Sequence, residues 1–489
     1  MTSGDTDQEA GRHLIDGAVR VSLADGLMFP TGLLTAAYLT RSLGPEEYGL
    51  LTMVAVLVSL VEFTLVSLFT RATIAAVSAA LDWREVAETI LRSYLLVGLI
   101  AMSLMWVFAG PLSRAFGNPD LAGLLRLLAI DIPIFLLAQA HRSILIGLGQ
   151  YRARAFSGAS RWLVRMLVMI ALVYAGFGVP GAVTGLIAAS VVELLVARYY
   201  IKPRLPGLSF AGSGFLFRSG ASLLAYSLCL QALDRADILL LKLLGGSASD
   251  AGHYGAAQNL ALVPIVLSMA YGGLLQSSVA RLLKSGDRAA ADDISLNSMR
   301  FAVCLLPFAG LVSGCSSELV TLIFGPDFSS SAGILSWLIF AGFLNIMLSV
   351  CISILVASGH TRLPLLIIGS LVPVAWAAYY LLIPLRGAEG AAMVTCGSFV
   401  AASVLAAVAV SLTQGLSTRL PTLLRILLLT GLVALAAALW PAPGWLLVPK
   451  LLFLAAAIPA ALVGTGDLKR MEVLTLLGHL AFFRRRGSV

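Results

Sequence analysis

Read from its start, the chain is a succession of apolar stretches of about 20 residues separated by short polar connections. Each stretch is long enough to cross a hydrocarbon layer of about 30 Å as a helix. In lipid only helices and closed barrels satisfy their own backbone groups, and apolarity here is continuous rather than alternating, so the pattern selects helices. About fourteen spans are predicted, centred near residues 30, 60, 104, 135, 168, 190, 230, 268, 310, 344, 373, 398, 430 and 455. The longest polar stretches lie near 71–92, 200–218 and 281–298, too short for a soluble catalytic domain. Residues 71–93 read as an amphipathic segment lying at the interface.

The pattern also repeats. Arg41-Ser42-Leu43-Gly44 returns as Lys242-Leu243-Leu244-Gly245, and Tyr48-Gly49 as Tyr254-Gly255. "RAFGNPDLAGLLRLLAI" (114–130) pairs with "LIFGPDFSSSAGILSWLIF" (322–340), "ILIGLGQYRAR" (144–154) with "ILVASGHTRLP" (354–364), and "GVPGAVTGLIAAS" (178–190) with "GAEGAAMVTCGSF" (387–399). The landmarks recur in order at offsets of about 200 to 210. The expected fold is an all-α polytopic membrane protein of two pseudo-symmetric six-helix bundles plus two C-terminal helices. Its expected divisions are a cytoplasmic tail (1–18), an N-lobe of spans 1–6 (19–205), a C-lobe of spans 7–12 (206–412), spans 13–14 (413–466) and a basic cytoplasmic tail (467–489). An even span number per copy gives both copies one orientation, the parallel-repeat plan of some secondary transporters, in which lobe rocking produces alternating access. Gly44-Pro45 reads as a helix end followed by a restart. Gly49 and Gly255 read as points of close helix approach.

Composition fits this picture. The 489 residues are 59% hydrophobic and 12% charged, with mean hydropathy +0.94, against about 25% charged for a soluble domain. The net charge of +8 carries a topology signal. With the N-terminus inside, only Arg41, Arg114, Arg386 and Lys450 fall in outer segments, and only Arg126, Arg235 and Lys242 within spans. Every other Lys and Arg lies in an inner segment. Both termini are therefore expected in the cytoplasm. A nucleic-acid role would need a basic face on a soluble module, and none is encoded. The N-terminal segment lacks the pattern of a cleaved signal peptide. The five cysteines (Cys229, Cys304, Cys315, Cys351, Cys396) have no metal-ligand spacing and read as small packing residues. No metal or cofactor is expected.

The phrases "LTRSLGPEEYGLLTMV", "ALDRADILLLKLLGGSASDAGHYGAAQNLALVP", "LIFGPDFSSSAGILSWLIFAGFLNIMLSVCISILVASGHTRLP" and "LRGAEGAAM", in this order, resemble the polysaccharide transporter or O-antigen flippase (Wzx-like) family. That family belongs to the multidrug, oligosaccharidyl-lipid and polysaccharide exporter superfamily. The resemblance covers about residues 20–412. It implies a bacterial cytoplasmic (inner) membrane protein that moves a polyprenyl-diphosphate-linked oligosaccharide to the outer leaflet. It further implies partners in the glycan polymerase and chain-length machinery, and it leaves the glycan unnamed.

Ionisable residues inside spans face a cavity or a partner by default. Asp234 and Asp237 are three apart in the seventh span, with Arg235 turned about 100° away and about 15 Å from the Gly245 turn. Arg235 reads either as a contact to the carrier diphosphate, which suits its bidentate fork, or as a partner of Asp234 or Asp237. Arg126 and Asp131 lie in span 4: Arg126 near the outer end, where it can snorkel, and Asp131 deeper, as cavity contact or structural partner. Arg161 and Arg165, four apart at the inner end of span 5, and Arg71 in span 2, read as phosphate-gathering or anchoring cations. Glu62 near mid-membrane and Asp25 near the inner interface are the candidates for proton or cation coupling, and Glu193 reads as structural.

The alternative within transport is a proton- or cation-coupled antiporter of small molecules or drugs from the same superfamily. An enzyme acting on the glycan would need acid, base or metal carboxylates on a sizeable outer loop, and the outer loops here are about 5 to 15 residues long. No phosphate-binding glycine-rich loop is present, so the chain is not expected to hydrolyse ATP.

Overall fold

The computed structural model describes residues 21, 24–202, 228–229, 231–233, 235–417 and 420–466, without the side chains of 266, 267, 269 and 270. The expected terminal tails, the basic residues between 203 and 218, and Asp234 lie outside the described residues. Among the described residues every regular element is helical.

The chain packs as two compact units, one of Met1–Asn259 with Ile368–Ala391, the other of Leu260–Ile367 with Ala392–Val489. The helices are α1 (Met28–Ala79), α2 (Trp83–Ala115), α3 (Leu121–Ala129), α4 (Asp131–Gly147), α5 (Tyr151–Tyr174), α6 (Gly178–Ile201) and α7 (Ala236–Leu243). They continue as α8 (Ala248–Lys284), α9 (Arg288–Cys304), α10 (Leu306–Gly314), α11 (Ser316–Phe324), α12 (Ser331–Ala357), α13 (Leu363–Gln414), α14 (Leu420–Leu439) and α15 (Leu447–Gly464).

Among the described residues, ten helical stretches are long and apolar enough to cross a membrane. Two are too long for one crossing. Helix α1 has 52 residues, about 78 Å at 1.5 Å per residue, and breaks at Gly44 with φ 73° and ψ 176°. A residue with no Cβ adopts that backbone freely, and Pro45, lacking an N–H, restarts the helix where that donor is not needed. Helix α13, also 52 residues, breaks at Gly387 with φ 56° and ψ −133°. Each therefore holds two crossings, at the expected positions of spans 1–2 and 11–12. Helix α8 occupies the place of span 8, and α7 the end of span 7.

The repeat is written in the backbone. Gly44 and Gly245, Gly117 and Gly325, Gly149 and Gly359, and Gly178 and Gly387 all have φ between 53° and 100°. These are the corresponding glycines of the repeated landmarks. A fifth correspondence emerges in the helix caps. Asp82 accepts from Arg84 N at the start of α2, and Asp287 from Ala290 N at the start of α9.

In the first unit, α4 is the central element, packed against α1, α2 and α6, while α5 and α6 run together along their length. Its inward residues include Ile132, Phe135, Leu136, Ile144 and Leu145, all almost fully buried. Small residues set the spacing. A Cβ on Gly98 would strike Pro133, and one on Gly185 would strike Met169. Where α1 meets the start of α8, a Cβ on Gly49 would overlap the Ala248 carbonyl, and one on Gly252 the Pro45 carbonyl. Gly255 faces Thr52, and Asn259 donates to the Tyr48 hydroxyl at 3.0 Å. The repeated Tyr-Gly phrases thus mark a close helix crossing.

In the second unit, Gly310 and Gly314 on α10 face the Thr430 and Ala434 carbonyls of α14. Lys450 of α15 is buried and donates to both carboxylate oxygens of Glu318 on α11, at 2.9 and 2.8 Å. Glu318 also accepts from Ala442 N at 2.8 Å. The last two spans are therefore bound to the second repeat by close backbone packing and a buried ion pair.

Candidate functional site

Four arginines and four carboxylates converge inside the first unit. Helical spacing explains half of the arrangement. Arg154, Gly158, Arg161 and Arg165 recur at intervals of four, three and four on α5, so they share one face. Asp131 and Arg142, eleven apart on α4, share another. Helix α6 contributes Glu193, α1 contributes Glu62, and the short helical segment just before α1 contributes Asp25.

The ion pairs form a ladder. Arg154 donates Nη1 and Nη2 to the two oxygens of Asp25, each at 2.8 Å. Arg142 lies 3.7 Å from Asp25 and 3.1 Å from Oε1 of Glu193. Arg161 donates to Oε2 of Glu193 at 2.8 Å. The Glu193 side chain has no exposed surface, so it is a carboxylate sealed between two guanidinium groups. Gly158 lies against the lower rung, where an added Cβ would be in ordinary contact, 3.4 Å from Asp25 Oδ1. Arg161 also stacks on Phe135, with its guanidinium carbon 4.5 Å from the ring centroid.

Above this ladder the charges match in type without touching. Glu62 and Asp131 are buried within electrostatic reach of Arg161. Oε1 of Glu62 and Oδ1 of Asp131 have no hydrogen-bond partner. Arg165 is half-buried beside Trp162, at 5.7 Å, and its Nε has no acceptor. None of these three makes an ion pair within 4 Å among the described residues. The arrangement therefore offers one cation to an incoming anion, and two carboxyl groups to a proton or small cation.

Of the residues singled out from the sequence, Asp25, Glu62, Asp131, Arg161 and Arg165 come together here. Arg71 and Arg126 do not: both are exposed, and the Arg126 carbonyl accepts from Trp106 Nε1 at 2.8 Å. Arg235 stands at the N-cap of α7 with φ −117°, so the seventh span is interrupted rather than continuous there. Asp237 is buried and accepts from the Tyr254 hydroxyl at 2.6 Å. Arg142 and Arg154 read from the sequence only as inner-side charges. The signal for Arg154 was present, in its heptad spacing from Arg161 with Gly158 between. No cluster of His, Cys, Asp and Glu among the described residues could hold a metal ion.

Comparison with known proteins agrees with the fold. The profile of a family described as polysaccharide biosynthesis protein matches residues 38–333. The succinoglycan biosynthesis transport protein ExoT of Rhizobium meliloti (strain 1021) is 26% identical over 309 residues, 62% of this chain and 60% of that protein. The lipopolysaccharide biosynthesis protein WzxC of Escherichia coli (strain K12) is 23% identical over 340 residues, 68% of this chain and 67% of that protein. The match therefore spans about three fifths of the first relative's length. Among solved structures, the lipid II flippase MurJ in an inward closed conformation superposes with a TM-score of 0.75 at 12% identity, covering 92% of this chain and 100% of that one. An inward-facing multidrug resistance MATE transporter of the MOP superfamily gives 0.60 at 18% identity, covering 84% and 95%. At these identities the structural likeness speaks to fold alone. With well over half of its length matched by the family profile, the chain belongs to the polysaccharide biosynthesis protein family, as its repeated phrases lead one to expect.

Proposed function

We propose that this chain is a flippase that moves a polyprenyl-diphosphate-linked oligosaccharide from the cytoplasmic to the outer leaflet of a bacterial inner membrane, by alternating access, for cell-surface polysaccharide assembly. The observation that carries the reading is Arg165. It is a half-buried guanidinium with no ion pair within 4 Å among the described residues, held beside an indole ring and above a ladder whose other cations are committed. Such a fork is pre-organised for a diphosphate oxygen. Membership of the family, relatives named for polysaccharide transport and biosynthesis, and a fold shared with a lipid II flippase support it. In this reading both termini are cytoplasmic, the chain is a transporter rather than an enzyme, and the glycan polymerase and chain-length machinery act downstream.

The buried, unpartnered oxygens of Glu62 and Asp131 favour a second reading, a proton- or cation-coupled antiporter of small molecules. The two readings separate in one experiment. The chain is deleted in its host, polyprenyl-linked lipids are measured by mass spectrometry, and sidedness is read with a membrane-impermeant glycan label. Build-up of one lipid-linked oligosaccharide on the cytoplasmic side is the expected result. An unchanged profile and sidedness, in a host without a redundant exporter, would leave the antiporter standing.

A further inference from the structure

We propose that the Tyr48 hydroxyl is a second anchor for the carrier diphosphate, donating to a phosphate oxygen held by Arg165, and that Asn259 is the residue that positions this hydroxyl. The inference rests on the diphosphate reading of Arg165 above. It gives a role to the tyrosine of the repeated Tyr-Gly phrase, which that reading leaves unused.

Three helices of the first unit supply the parts. Tyr48 of α1 and Arg165 of α5 lie within electrostatic reach of each other. Asn259 of α8 donates to the Tyr48 oxygen at 3.0 Å, and is itself fixed by donating to the Gly255 carbonyl at 2.8 Å. A phenol oxygen that accepts from an amide keeps its own O–H for a different direction. Tyr48 is only 5% exposed, so packing holds that hydroxyl in one place. On the Arg165 side, the Trp162 ring stands 5.7 Å from the guanidinium, and Nε has no acceptor.

The second repeat shows what such a hydroxyl is suited to hold. Tyr254, the counterpart of Tyr48, donates to the carboxylate of Asp237 at 2.6 Å, and both residues are buried. By the offset that carries Arg41 to Lys242, the place of Asp237 falls on Ala36, which is buried as well. By the offset that carries Gly149 to Gly359, the place of Arg165 falls on Ala375. The later copy thus gives its tyrosine a carboxylate and has alanine in place of the arginine. The earlier copy has the arginine, and alanine in place of the carboxylate. Charge at the two tyrosines is therefore reversed. Asp237 is a fixed anion, whereas Arg165 calls for an anion that arrives from outside the chain. A phosphate group meets both donors at once, because its several oxygens accept from a guanidinium and from a phenol together.

The test uses the full chain in phosphatidylcholine nanodiscs, titrated with a long-chain polyprenyl diphosphate and read by native mass spectrometry. Folding of each variant is checked by its thermal midpoint without lipid. Wild type is expected to bind, and inorganic diphosphate at equal concentration is expected not to displace the lipid. Tyr48→Phe weakens binding about tenfold, the loss of one hydrogen bond to a charged group. Asn259→Ala weakens it severalfold on its own but adds nothing to Tyr48→Phe, because it acts through the hydroxyl. Tyr48→Phe and Arg165→Ala together lose less than the product of their separate losses, because both hold one phosphate. Undiminished binding by Tyr48→Phe, or losses that simply multiply, would overturn the inference; if Arg165→Ala alone still weakens binding, the flippase reading stands. Equal displacement by inorganic diphosphate also overturns it, since the pair would then serve a free anion. Should Tyr48→Phe not fold, Asn259→Ala with and without Arg165→Ala decides by the same two criteria. No binding to folded wild type sinks the flippase reading and this inference together.

Discussion

Arg161 and Glu193, from two helices packed along their whole length, meet at 2.8 Å, and the Glu193 side chain is completely enclosed. The opposite oxygen of the same carboxylate faces Arg142 at 3.1 Å. One anion is thus shared between two interior cations. Removing one partner of such a group leaves uncompensated buried charge, at a cost of about 3–5 kcal/mol. Glu193→Gln is expected to lower the thermal midpoint of the detergent-purified protein markedly and to reduce expression. Thermal unfolding followed by intrinsic fluorescence checks this, and an unchanged midpoint would show that the triad is not structural.

Arg165 should behave in the opposite way. With no ion pair among the described residues, its truncation strands no charged partner in the fold. Arg165→Ala is expected to keep wild-type expression and thermal midpoint while export of the lipid-linked glycan falls at least tenfold. Arg165→Lys, a point charge without the planar fork, should recover part of it. Undiminished export by a well-expressed Arg165→Ala would remove the diphosphate-binding role.

Glu62 carries a buried oxygen without a partner. Glu62→Gln keeps the shape and removes the exchangeable proton. If this carboxyl couples a gradient to export, the variant folds normally and its transport in vesicles no longer responds to an imposed proton gradient. A normal response would exclude Glu62 as the coupling group.

The crossing of α1 and α8 is set by glycine. A methyl group on Gly49 or Gly252 overlaps a facing carbonyl, so Gly49→Ala and Gly252→Ala should each destabilise by about 1–3 kcal/mol, the range for overpacked sites. Gly44→Ala meets no neighbour but forces a side chain into positive φ, costing about 1–2 kcal/mol. Chemical denaturation in mild detergent ranks the three.

Lys450 and Glu318 invite a double-mutant cycle. Lys450→Met leaves Glu318 without its buried cation and should destabilise the second unit. Adding Glu318→Gln should restore much of the loss, because the uncompensated charge is then gone. Additive losses would mean that the pair is not coupled.

Much of the fold was legible because its governing quantity, apolar run length, is one-dimensional. The span positions and repeat landmarks follow from it, and the left-handed glycines fall on those landmarks. The site was legible only in part. Glu62, Asp131, Arg161 and Arg165 stand out as charges within apolar runs. Arg142 and Arg154 sit among basic residues that read as ordinary inner-side charges; only the heptad spacing to Arg161 sets Arg154 apart, and nothing in the local sequence marks Arg142 as a rung of a buried ladder. Which helix face turns inward depends on packing by distant segments, as Asp25 and Arg154 illustrate across 129 positions.

The turn at Gly44 joins two crossings with almost no connecting chain. The sixteen residues of α1 before it make a rigid arm about 24 Å long. A swing of about 10° at this pivot carries the far tip about 4 Å, by the same geometry. That displacement exceeds the length of the Asp25–Arg154 hydrogen bonds, so a modest change of angle at Gly44 would unlatch the far end of the arm. In such a swing the glycine would be the fulcrum and the ion pair the catch of the lever.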